Sequence, residues 1–127
     1  MRFVLTFLSL SLMAFAPADS ARGQNAPILV LETVSFGLNE GVSDHDFLAA
    51  AQRTQEALAL QSGYVARQLL RDDTGVWTDL VSWHSLEQAK AAAAILEKDS
   101  AFGALIGMID LSTLQMAHTP ILWQIGG

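Results

Sequence analysis

GYVARQLLRDDTGVWTDLVSW, residues 63–83, decides the fold. Tyr64 to Arg71 alternates as a strand, Asp72-Asp73-Thr74-Gly75 has the composition of a hairpin turn, and Val76 to Trp83 alternates back. A helical period lies on either side of this hairpin. Upstream, Ser43 with Asp46 three residues later forms a capping signal. Phe47, Ala50, Ala51, Thr54, Ala57 and Leu58 then recur at helical spacing, which predicts a helix from Ser43 to Gln61 stopped by Gly63. Downstream, Ser85 with Gln88 is a second capping signal. The alanine-rich stretch to Lys98 follows it, with Leu86, Ala89, Ala93 and Leu96 as the expected apolar stripe.

Working outward, Pro27 precedes an apolar, β-branched run from Ile28 to Leu38 that reads as a strand broken by Gly41. Ala101 to Met108 is expected to add a short helical turn or two. Thr113 to Gln124 reads as a last strand, in which Pro120 argues for an edge position or a bulge. The order is β-α-β-β-α-β, the split arrangement of ferredoxin-like α+β folds: one antiparallel four-stranded sheet with two helices on one face. Val30, Val34 and Phe36 oppose Leu29 and Leu31; Trp77, Val81 and Trp83 oppose Leu80; Leu114, Met116 and Leu122 oppose Ala117, Ile121 and Trp123. Both faces therefore read as apolar. Two helices cover one of them, so a homodimer is expected to bury the other.

The 127 residues suit a single domain, with 51% hydrophobic and 16% charged side chains. Seven Lys and Arg against 13 Asp and Glu give a formal charge of −6, which opposes phosphate neutralisation and excludes nucleic acid as the expected partner. The absence of cysteine removes disulfides, thiolate metal sites and a cysteine nucleophile together. Arg2 followed by the charge-free run Phe3 to Phe15 and by Ala16-Pro17-Ala18 and Asp19-Ser20-Ala21 reads as an export signal over residues 1–21. Cleavage is expected after Ala18 or Ala21. The apolar run falls short of the roughly 20 residues that span a bilayer, so the product is expected to be periplasmic or secreted, with no membrane contact after cleavage. Residues 22–27 then read as a short linker and 28–124 as the domain.

The pattern Glu32-x-Val34-x-Phe36-x-Leu38, Gly41-Val42-Ser43, Phe47, Gly63-Tyr64-Val65-x-Arg67, and Gly75-x-Trp77-x-Asp79-x-Val81-x-Trp83-x-Ser85-Leu86 resembles the antibiotic biosynthesis monooxygenase-like group of dimeric α+β barrels. The resemblance spans roughly residues 28 to 122. It implies the dimeric barrel and a small-molecule pocket. It does not choose a chemistry, because the superfamily includes cofactor-free oxygenases, haem-degrading enzymes, isomerases, dehydratases and proteins without known activity. His84 precedes the cap Ser85, whereas haem-degrading relatives carry their axial histidine within the helix, so haem is not expected here.

Candidate chemistry lies in polar residues that a buried strand does not otherwise need. Glu32, Asp79 and His118 alternate with core residues, so all three are expected to enter the core as a proton-transfer set acting on one acidic organic substrate. Trp77 and Trp83 are expected to stack on an aromatic ligand, with Arg67 as a further binding residue. The competing reading is structural: Glu32 or Asp79 pairs with Arg67 or Arg71 in an ion-pair network. Asp44-His45-Asp46 has metal-binding residue types but diverges on a helix, so no metal site is expected. No glycine-rich phosphate loop is present, and no cofactor is expected. The function this supports is an exported cofactor-independent monooxygenase or proton-transfer enzyme acting on a small aromatic or polyketide-like compound. The alternative is a non-catalytic ligand-binding or structural dimer of the same fold.

Overall fold

A computed structural model describes residues 28–126; the expected export signal and the linker lie outside the described residues. β1 (Val30–Leu38) leads to α1 (Asp44–Ala59), the hairpin β2 (Tyr64–Arg71) and β3 (Trp77–Trp83), then α2 (Leu86–Leu96), α3 (Ser100–Ile106) and β4 (Ile109–Pro120). The strands form one antiparallel sheet in the order β2-β3-β1-β4. Both caps form as expected: Ser43 Oγ accepts from the Asp46 amide at 3.1 Å and Ser85 Oγ from the Gln88 amide at 3.1 Å. At the hairpin, Asp72 Oδ1 accepts from the Thr74 hydroxyl and from the amides of Thr74 and Val76, and Gly75 supplies the positive φ the turn requires. The Thr74 hydroxyl and the Val76 amide hold the Asp72 carboxyl below its usual pKa.

The helices lie on one face of the sheet. Phe47, Ala50 and Ala51 of α1 pack with Phe36, Trp77, Leu105 and Ile109, while Leu58 packs with Val81, Trp83, Ala89, Ala92 and Leu96. Phe47 holds the first cluster together, its ring centroid 5.4 Å from Phe36 and 4.8 Å from Trp77. Three expectations shift. The buried stripe of α2 is Ala89, Ala92 and Leu96, and Ala93 is exposed, because α2 approaches the sheet along the Ala92 side. β4 starts four residues before Thr113 and ends at Pro120, which has no N–H to continue the ladder. Leu122 and Trp123 therefore lie beyond the strand and are exposed.

The face away from the helices is more polar than its apolar residues alone suggest. Register places Gln68, Leu80, Thr33 and Ala117 in one row across it, and Leu70, Thr78, Ser35 and Gln115 in the next. Leucines there alternate with Thr, Ser and Gln. The reading of both faces as apolar rests on the leucines and leaves out these short polar side chains. Among the described residues no helix is long and apolar enough to cross a membrane.

Candidate functional site

The same register builds the site on the helix-covered face. Arg67, Val81, Glu32 and His118 stand in one row across all four strands, and Leu69, Asp79, Val34 and Met116 in the adjacent row. Four ionisable side chains thus project towards the helices from strands whose other residues on that face are mainly apolar. Each finds a partner. His118 Nε2 donates to Glu32 Oε2 at 2.7 Å, a pair in which the side chains are 21% and 15% exposed. Arg67 Nε and Nη2 donate to Asp79 Oδ1 and Oδ2 at 3.0 and 2.7 Å, a two-pronged bridge that is 8% and 16% exposed.

A cavity of about 300 Å³ opens between sheet and helices, near the lower end of the range for small-molecule pockets. Glu32, Arg67 and Asp79 line it, together with Val81, Trp83 and residues of α2 and α3. Its outer wall is apolar and open: Leu114 is 37% exposed, Met116 55% and Ile106 42%. Trp83 is buried, and its indole Nε1, like that of Trp77 away from the cavity, has no hydrogen-bond partner among the described residues.

The structure separates the sequence candidates. Glu32, Asp79 and His118 share a face as expected, with Glu32 and Asp79 diagonal neighbours on adjacent strands. The structural alternative is realised at Asp79, which pairs with Arg67. Arg67 lines the cavity but is not a free binding group: Nη1 also donates to Thr54 Oγ1 at 2.8 Å, and Thr54 is fully buried. Trp77, expected to stack on a ligand, packs on Phe47 of α1 and is not among the cavity-lining residues, whereas Trp83 is. Arg71 pairs with Asp44 of α1 at 3.0 Å on the surface. His84 is exposed and does not line the cavity. His45 contacts only the neighbouring Asp46 at 3.3 Å, and no group of three metal-ligating side chains is found among the described residues.

Sequence reasoning missed the helix contribution. Ala93 and Glu97, four apart on α2, line the cavity with Phe102 and Ile106 of α3. The four-residue spacing was the available signal, although Ala93 itself reads as part of the apolar stripe.

The fold is that of antibiotic biosynthesis monooxygenase-like proteins. Among solved structures, a point mutant of SnoaB from Streptomyces nogalater, a cofactor-independent oxygenase, is 18% identical with a TM-score of 0.64, covering 78% of this chain and 98% of that one. A Bordetella bronchiseptica protein provisionally named an antibiotic biosynthesis monooxygenase is 16% identical with a TM-score of 0.62, covering 76% and 99%. A Nitrosomonas europaea protein with the same provisional name is 10% identical with a TM-score of 0.63, covering 79% and 96%. No family model and no curated sequence matches the chain.

Proposed function

We propose that this protein is an exported homodimeric oxygenase-like enzyme that works without a cofactor and removes a proton from a small aromatic or polyketide-like compound. The observation that carries this reading is the hydrogen-bonded Glu32–His118 pair beside an apolar cavity that Glu32 and Trp83 line. SnoaB, a cofactor-independent oxygenase, supports it by its similar fold.

In this reading Glu32 accepts a proton from an activated CH2 or phenolic OH, and the His118 Nε2–H fixes the carboxylate and stabilises its charge. The resulting electron-rich anion is oxidised by dioxygen. One oxygen atom becomes the product carbonyl and the other leaves as water, R2CH2 + O2 → R2C=O + H2O, and Glu32 returns its proton to the departing oxygen. Arg67 and Asp79 hold the floor of the cavity in place.

Oxygen uptake with anthrone as substrate tests the reading. His118→Ala should lower the rate by about 10² to 10⁴, the usual range for a lost acid–base group, with a folded protein by circular dichroism. Glu32→Gln should lower it similarly. Uptake by both variants at the parent rate contradicts the reading, and binding without uptake by the parent leaves the non-catalytic ligand-binding dimer.

A further inference from the structure

The charges around the cavity do not cancel, and the imbalance selects among ligands. Asp79 is neutralised by Arg67 in a two-pronged bridge. Glu32 has a single described partner, His118, which engages only Oε2. Glu97 also lines the cavity, as the C-cap of α2, a helix with no basic residue in its last turn. The negative end of that helix therefore lies at the cavity beside an exposed carboxylate. Counting Glu32, Asp79, Glu97 and Arg67, the cavity carries −2 with His118 neutral and −1 with His118 protonated. Among the described lining residues Arg67 is the only Lys or Arg, and its guanidinium is engaged by Asp79 and Thr54, so it is not free to receive an anion.

We propose that this cavity excludes carboxylates and takes uncharged or cationic aromatic compounds that carry a hydroxyl or a protonated amine, donors suited to its carboxylates. The inference rests on the small-molecule reading above and narrows its substrate class to proton donors that carry no carboxylate. Trp83 and the aliphatic lining residues give the cavity a largely apolar wall. A carboxylate in the cavity would share that low-dielectric space with Glu32, where like charges repel far more than in water.

Calorimetric titration of the full chain at pH 7.5 with 1-naphthol, 1-naphthylmethylamine and 1-hydroxy-2-naphthoate tests this. The neutral and cationic probes should bind, and the carboxylate should bind at least about tenfold more weakly, the scale of one like-charge contact at partial burial. Glu97→Gln, which removes one lining carboxylate outside the proton-transfer pair, should narrow that ratio. Equal or tighter binding of the carboxylate overturns the charge selection while leaving the small-molecule reading intact. An unchanged ratio in Glu97→Gln removes Glu97 from the account and overturns its share of the selection. Failure of all three probes to bind overturns the small-molecule reading itself, and with it this inference.

Discussion

Arg67 shows how a single side chain divides the polar cluster into two parts. Its guanidinium is 8% exposed and bonded to Asp79 on the neighbouring strand and to the buried Thr54 of α1, so it ties the hairpin to the first helix. Removing one partner of such a pair leaves an uncompensated buried charge. Arg67→Ala should therefore cost about 3 to 5 kcal/mol of stability, read as a lower urea midpoint with unchanged slope. A cost below about 1 kcal/mol would mean the bridge is solvated like a surface pair. The shared face of Glu32, Asp79 and Arg67 was legible from strand alternation. The choice of partner was not. Arg67 meets Asp79 diagonally, in a register that shifts between Tyr64 and Ala66, and His118 meets Glu32 across 86 residues of chain. One-residue shifts of this kind leave no local mark in the sequence.

At the level of elements, the hairpin and both caps were readable because each is encoded within a few residues. The end of β4 followed from Pro120 only once its pairing with Val30 was known, and the facing of α2 depended on a sheet that local periodicity does not describe. Gly63 joins α1 to β2 and ties that joint to α2. It adopts φ +87°, and a Cβ there would lie 2.3 Å from Oε1 and 2.7 Å from Cβ of Gln88, the residue bonded to the Ser85 cap. Gly41 has the same φ of +87° with nothing within 4 Å. Both substitutions to Ala carry the strain of positive φ, on the order of 1 kcal/mol, and Gly63→Ala adds displacement of Gln88. Thermal unfolding should show a larger loss for Gly63→Ala than for Gly41→Ala. Equal losses would mean Gln88 moves aside freely and that the cap of α2 does not depend on this joint.

For the molecule as a whole, the helices cover one face of the sheet and leave the other, with Leu31, Leu70 and Leu80 set among Thr, Ser and Gln, without a covering layer among the described residues. Sedimentation of the full chain should give twice the monomer mass at micromolar concentration; a stable monomer there would contradict the proposed homodimer. The central claim is that the cavity beside Glu32 and His118 holds a small aromatic ligand, and the three tryptophans report on it independently. Trp83 lines the cavity, Trp77 is sealed against Phe47, and Trp123 lies beyond β4. A ¹H–¹⁵N spectrum of the protein titrated with 1-naphthol, its indole signals assigned through Trp83→Phe, is the most direct measurement. The account predicts a saturable shift of the Trp83 indole signal with that of Trp77 little changed; a Trp83 signal that stays in place up to the solubility limit of the probe would contradict it.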